Sequence, residues 1–303
     1  MKFEVTILGS GSALPTIQRN PSSHFVECNN SYVLIDCAEG TQIQLRKFQV
    51  KFQKIDVILI THLHGDHYFG LVGLLSSMHL LGREKKLRIV GPTELEQLIR
   101  PQLEIGGHQL NYGLEFIALS YPSEIIVFED KKMEIKCFPL NHRIPTHGYL
   151  ITEKTNQFKL NKSVFDEHQL NLSDIPKIKK GMDIVKSNGV VIPNKSLLLE
   201  PTQPKKYAYC SDTKYAEKII PHILNSDLLY HEATFTEEHR ARAKQTYHST
   251  ASDAGKIAKL AQVQRLLLGH FSSRYRTFDL HLEEAKAHFD QVQLAEDGLI
   301  IRL

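Results

Sequence analysis

The sequence predicts an α/β layered fold, and three observations lead there. Short β-rich apolar runs alternate with helix-periodic runs in both halves of the chain. With 303 residues, 42% of them hydrophobic and 23% charged, the composition is that of a globular protein that buries a large core. The alternation breaks over one stretch only, residues 153–206, which is rich in Lys, Asn, Ser and Pro and carries weak apolar periodicity. That stretch reads as an insertion, an arm within a single domain spanning 1–303, and not as a second domain.

Taken in order, residues 2–8 alternate polar and apolar side chains and run into Gly9, the pattern of a first strand rather than of a secretory leader. Residues 31–35 and 57–60 follow as strands, and 40–48, 68–81 and 92–100 carry helical spacing. The second half repeats the scheme, with strands near 131–138, 207–210, 228–231 and 265–269 and a helix over 249–261. No apolar run approaches the roughly eighteen residues that span a bilayer, so no membrane association is expected.

Cys28, Cys37, Cys137 and Cys210 are scattered without CxxC spacing. This argues against a thiolate zinc site and against a small disulfide framework; the four read as buried thiols in a reducing cytoplasm. The net charge of +3 is too small to announce nucleic-acid binding, but its distribution is informative. Residues 153–206 carry ten lysines against six acidic residues, whereas the other 249 residues carry 27 basic against 28 acidic ones. The positive excess lies in the arm.

The strongest chemical signal is Thr61-His62-Leu63-His64-Gly65-Asp66-His67, directly after the strand at 57–60. Three imidazoles and a carboxylate at a strand end, where the chain turns through Gly65, can converge on one point. Neutral imidazole nitrogen and carboxylate oxygen are a donor set that zinc accepts. This HxHxDH run resembles the signature of the metallo-β-lactamase superfamily. The resemblance implies a four-layer αββα sandwich (the metallo-β-lactamase fold) and a two-metal site at the strand ends. It further implies His62, His64 and His142 at the first metal, Asp66, His67 and His270 at the second, and Asp212 bridging. His147 competes with His142; His142 comes first off its strand and precedes Gly148-Tyr149, as in the family pattern.

Further segments resemble the ribonuclease Z family within that superfamily. They are residues 9–15 (GSGSALP), residues 34–42 (LIDCAEGTQ, with Ala38 at a usual glycine), His231-Glu232-Ala233-Thr234-Phe235, His248-Ser249-Thr250, and His270-Phe271-Ser272-Ser273-Arg274-Tyr275. This resemblance implies a zinc-dependent endoribonuclease that removes the 3′ trailer from precursor tRNA, leaving a 3′-hydroxyl on the tRNA and a 5′-phosphate on the trailer. It also implies two Zn²⁺ per chain, with Mn²⁺ as the alternative ion, and a homodimer. The same centre admits two alternative readings: a phosphodiesterase for other RNAs or small esters, and a metal-binding RNA clamp without turnover.

Carried onto this sequence, the resemblance makes Asp66 the proton acceptor for the attacking water. It makes His248, oriented by Glu232, the donor to the leaving oxygen; the competing reading of His248 is a residue shaping the start of the helix at 249–261. Glu39 either begins a helix or takes part in catalysis. Arg274 either touches phosphate or shapes its loop. Residues 15–20 resemble a loop that reads the tRNA 3′ end, with Arg19 kept and Ile17 in place of lysine. The arm at 153–206 is expected to protrude far from the metals and to grip the tRNA body, with Lys177, Lys179 and Lys180 on phosphates. Its usual Gly-Pro run is absent.

Overall fold

The computed structural model describes residues 2–105, 110–154, 159–199 and 203–303. The chain opens with β1 (Phe3–Gly9), β2 (Ser23–Cys28) and β3 (Ser31–Ile35), then α1 (Thr41–Lys47), β4 (Val57–Leu59), α2 (Gly65–Tyr68), α3 (Leu71–Leu80), β5 (Leu87–Pro92), α4 (Leu95–Ile105) and β6 (Leu114–Leu119). Strands β7 (Ile125–Glu129), β8 (Met133–Pro139) and β9 (His147–Glu153) follow. The arm segment carries β10 (Lys159–Leu160), α5 (Lys162–Glu167), α6 (Ile175–Lys179), β11 (Ile184–Val185), β12 (Val191–Ile192), α7 (Asn194–Leu197) and β13 (Leu198–Leu199). The remainder is β14 (Lys206–Cys210), α8 (Ile220–Ile223), β15 (Leu228–Glu232), α9 (Arg240–Thr246), α10 (Ala251–Leu260), β16 (Leu266–Gly269), α11 (Asp279–Lys286), β17 (Val292–Leu294) and β18 (Ile300–Arg302).

Two seven-stranded sheets result, in the orders β18-β1-β2-β3-β4-β5-β6 and β17-β16-β15-β14-β9-β8-β7. Each is antiparallel on one side and parallel on the other: β3 to β6 run parallel, as do β14 to β17. Strands in the middle are apolar at successive positions because both faces are covered. Val57 and Leu59 of β4 point into a core shared with Ile135, Tyr149, Tyr207, Tyr209 and Leu267 of the other sheet. Ile58 and Ile60 pack outward against Leu45, Leu71, Leu74 and Leu75 of the helices. On the far side, Leu229, Leu266 and Leu268 meet Ala254, Ile257, Ala258 and Ala285. The order of layers is therefore helix, sheet, sheet, helix.

The helix expected over 68–81 is broken in two at Gly70. Its amide donates to the Cys37 carbonyl at 2.9 Å, and a Cβ there would stand 2.1 Å from the Ala38 carbonyl oxygen. This close approach ties the turn after His67 to the loop after β3. The helix expected over 92–100 starts at Leu95 and ends at Ile105, since Pro92 closes β5.

Residues Lys154–Pro204 form a second unit. Glu153 and Lys206, the expected ends of the arm, belong to β9 and β14 of the second sheet. The unit has a small core of Phe165, Ile178, Ile184, Ile192 and Leu197. Its apolar periodicity is weak because several very short elements share that core. Lys177, Lys179 and Lys180 are exposed on either side of buried Ile178. Residues 155–158 and 200–202 of the expected arm lie outside the described residues.

Candidate metal centre

The candidate ligands begin at the ends of β4, β8, β14 and β16. Directly after β3, Asp36 takes a left-handed conformation (φ 57°) and is fully buried. Its carboxylate accepts from the Thr61 amide at 2.8 Å, the Thr61 hydroxyl at 3.1 Å, the Tyr209 hydroxyl at 3.2 Å and His67 Nδ1 at 2.8 Å. It thus fixes the chain leaving β4 and the ring of His67 together. The short helix α2, whose N-cap is His64, places Asp66 and His67 on the next turn.

The donor atoms form groups within 4.8 Å of one another: His62, His64, His142 and Asp212; Asp66, His67 and His270; and Asp212, His248 and His270. In the first, His62 Nε2 is 3.0 Å and His142 Nε2 3.3 Å from His64 Nδ1, and both Nε2 atoms are 3.6 Å from Asp212 Oδ2. In the second, His67 Nε2 is 3.4 Å from both Asp66 Oδ2 and Asp212 Oδ1, and His270 Nε2 is 3.1 Å from Asp212 Oδ1. The two oxygens of Asp212 therefore face different groups. His147 is buried at the start of β9 beside Tyr121 and stands in none of these groups.

These residues fit divalent cations. Ligand atoms about 2.0–2.1 Å from a tetrahedral ion stand about 3.3 Å apart, close to the separations found here. His67 Nε2 and His270 Nε2 are buried without a hydrogen-bond partner, each aimed at carboxylate oxygens. His142 Nδ1 donates to the Tyr247 carbonyl at 2.9 Å, which leaves Nε2 as the free acceptor. Electrostatics agree. Burial opposes the charge on Asp212, yet His270, His67 and His62 hold its carboxyl well below the usual range. His67 is pushed down by burial but raised well above an ordinary imidazole by Asp66, Asp212 and Asp36. His62 is lowered by burial and by His67.

Beside the ligands lies the pair His248 and Glu232. Glu232 is fully buried and accepts from His248 Nδ1 at 2.8 Å, the Thr213 amide at 2.8 Å and the Thr234 hydroxyl at 2.6 Å. Burial lowers the His248 pKa, but Glu232, Asp212 and Asp66 outweigh it and carry it to about 9. The helix cap next to it is Thr250, in a capping box with Asp253, so the His248 ring is engaged with Glu232 and not with the helix end.

A cleft of about 440 Å³ opens over the site, lined by His64, Asp66, His142, Asp212, His248 and His270 and rimmed by three arginines, Arg143, Arg242 and Arg274. Arg143 and Arg242, which sequence reasoning missed, bond the Gln245 carbonyl at 3.1 Å and its side chain at 2.9 Å. Arg274 lies 5.0 Å over the Phe235 ring. The only available signal was adjacency: Arg143 follows a candidate ligand. Arg19 is a correction. Its guanidinium turns into the protein, donating to Ser10 Oγ at 2.6 Å and the Ala295 carbonyl at 2.5 Å and lying 4.4 Å over Phe278. It holds two segments together and is not presented to a ligand. Glu39 is exposed ahead of α1, outside the cleft lining.

The comparisons with known proteins bear on the whole chain. A family model described as Anti-Pycsar protein Apyc1 matches residues 3–171. The chain is 44% identical over 297 residues to a ribonuclease Z of Parabacteroides distasonis, covering 98% of each chain. It is likewise 44% identical over 301 residues to one of Porphyromonas gingivalis, covering 99% of each. Among solved structures, the short form of human tRNase Z matches with a TM-score of 0.70 at 29% identity over 98% of each chain. The metallo-β-lactamase fold protein YhfI of Bacillus subtilis matches with a TM-score of 0.70 at 20% identity over 100% of each, a likeness of fold.

Proposed function

The chain belongs to the ribonuclease Z family over its whole length, and over residues 3–171 to the family described as Anti-Pycsar protein Apyc1; from that premise we propose how it acts. It is a metal-dependent tRNA 3′-processing endoribonuclease. We take the ions to be two zincs per chain, manganese being the alternative, held by His62, His64 and His142 on one side and Asp66, His67 and His270 on the other, with Asp212 between. The observation that carries the reading is the sharing of Asp212 by two donor groups, with the His248–Glu232 pair on the same cleft.

Bound divalent cations lower the pKa of water and neutralise charge on a phosphate. The chain's own residues do the rest. Asp66 accepts the proton of the attacking water. As the new P–O bond forms, the bond from phosphorus to the tRNA 3′ oxygen breaks. His248, whose Nδ1–H is held by Glu232, protonates that oxygen from Nε2, and the products are a 3′-hydroxyl on the tRNA and a 5′-phosphate on the trailer. Arg274, with Arg143 and Arg242, takes flanking phosphates.

The arm, with exposed Lys177, Lys179 and Lys180, grips the tRNA body. The partner copy in a homodimer covers the large apolar side chains Ile43, Phe69 and Leu80, which the first helices leave exposed. The compartment is the cytoplasm, which suits four buried free thiols. Among the described residues no helix is long and apolar enough to cross a membrane.

The test is cleavage of a defined end-labelled tRNA precursor by the zinc-loaded protein, with product ends mapped. A single cut after the acceptor stem leaving a 3′-hydroxyl is expected; hydrolysis of bis(p-nitrophenyl) phosphate without precursor cleavage would overturn the substrate assignment. Deleting residues 159–196 behind a short Gly-Ser bridge should weaken precursor binding and flatten its salt dependence. Parental affinity in that variant would remove the arm from the reading.

A further inference from the structure

Thr234 stands where the side chains of Glu232, His248 and His270 meet. It is buried, at 3% exposure. Its hydroxyl lies 2.6 Å from Glu232 Oε2, 2.8 Å from His270 Nδ1 and 3.3 Å from His248 Nδ1. A threonine hydroxyl has one proton, and an ionised carboxylate can only accept. The proton therefore goes to Glu232, at the shortest of the three contacts. The Thr234 amide donates to the same oxygen at 3.2 Å, which pins the hydroxyl against the carboxylate.

With its proton committed, the hydroxyl oxygen can only accept from His270. The hydrogen of the His270 ring is thereby placed on Nδ1, and Nε2 keeps its lone pair. That Nε2 is the buried, unpartnered nitrogen 3.1 Å from Asp212 Oδ1. We infer that Thr234 is a positioning residue that relays the Glu232 carboxylate to His270 and fixes the ring form in which Nε2 is the metal-binding atom. The inference rests on the reading that this site holds cations.

The neighbouring ligand supports the logic. His67 is oriented through its Nδ1 in the same way, but by Asp36 directly, at 2.8 Å. Histidine ligands commonly donate their second ring N–H to a carboxylate, which fixes the ring and raises its basicity. At His270 Nδ1 no carboxylate among the described residues is that close; Glu232 reaches it only through the threonine, while its other oxygen holds His248. Glu232 thus serves two histidines, orienting a proton donor on one side and a ligand on the other.

Two measurements test this without relying on turnover. Ring-¹⁵N NMR of the zinc-loaded unsubstituted protein should show His270 protonated at Nδ1 and coordinated at Nε2; coordination through Nδ1 would overturn the inference whatever any variant does. Chelator competition then compares Thr234→Val, which keeps the shape and loses the hydroxyl, with Thr234→Ser, which restores it. In the valine variant the second zinc should be lost about 10–100-fold more readily, with the first unchanged, and the serine variant should return to within a few-fold of the parent. Equal retention of both ions by the valine variant would refute the relay. Because neither readout involves RNA, a protein that binds zinc this way but cleaves no precursor would fail the functional reading alone.

Discussion

The two donor groups on either side of Asp212 are held by different means. On the first side His142 is steered by a backbone carbonyl, that of Tyr247, and only His62 reaches a carboxylate, through the Thr61 hydroxyl that lies 2.9 Å from its Nδ1 and 3.1 Å from Asp36 Oδ2. On the second side buried carboxylates do the steering: Asp36 acts on His67, and Glu232 acts on His270 through Thr234. A carboxylate behind an imidazole strengthens it as a ligand more than a neutral carbonyl does. The second group should hold its ion more tightly, and the first should exchange with solvent metal sooner. A symmetric-looking cluster thus has an asymmetric support.

The largest effect should come from the shared residue. Asp212→Ala removes one oxygen from each group, so both ions and all phosphodiester turnover should be lost, as read by elemental analysis and by hydrolysis of bis(p-nitrophenyl) phosphate. Retention of two ions would mean that the groups are independent. Next comes His248→Ala, expected to lower kcat on precursor by about 10²–10⁴. The sign of its pH dependence follows from its role. A proton donor must be protonated, so kcat should fall as pH rises through the His248 pKa, which Glu232 lifts toward about 9 and which bound cations pull back down. That alkaline limb should vanish in the alanine variant; if it persists, another group donates the proton. Asp36→Asn is the third step down. It should weaken the second ion about 10–100-fold in chelator competition and the first by less, because Asp36 bonds His67 directly but reaches His62 only through Thr61. Equal weakening of both would erase the asymmetry.

Much of this centre was legible because its ligands follow within a few residues of the ends of four strands: His62 after β4, His142 after β8, Asp212 after β14 and His270 after β16. The pattern of apolar runs gave β1, β3, β4, β8, β14, β15 and β16 to within two residues. It missed β2, whose sequence Ser23-His24-Phe25-Val26-Glu27-Cys28 mixes polar side chains that are all buried in the folded protein. There His24 bonds the Tyr207 hydroxyl at 2.6 Å and Glu27 pairs with Lys2, partners that no local pattern reveals. Outside the arm it also missed β5, β6, β7, β9, β17 and β18, the last two of only three residues each, too short for an alternating pattern to show. Asp36 and Thr234 were quoted within motifs but received no role, since their work is to orient other side chains, and that becomes visible only when strands 25 or more residues apart are side by side. Arg19 failed for the same reason: its partners, Ser10, Ala295 and Phe278, come from both ends of the chain.

The smallest effect concerns which flank of the centre the RNA crosses. Arg143 directly follows His142 of the first group, and Arg274 follows His270 of the second by four residues; both are exposed on the rim of the same cleft. Neither has a carboxylate within salt-bridge distance among the described residues, so each guanidinium is available to a phosphate. A phosphate contact releases counterions, and its loss lowers the log–log salt slope of binding by about 0.7 for a single strand or about 0.9 for a duplex. Arg143→Ala and Arg274→Ala should each weaken precursor binding a few-fold and reduce that slope by one such increment, measured by filter binding across a salt series. If the trailer and the acceptor stem leave the centre on opposite sides, both variants show the effect and the double variant loses two increments. Should only Arg274→Ala respond, the RNA lies on the side of the second group alone, and no flanking phosphate is held beside the first.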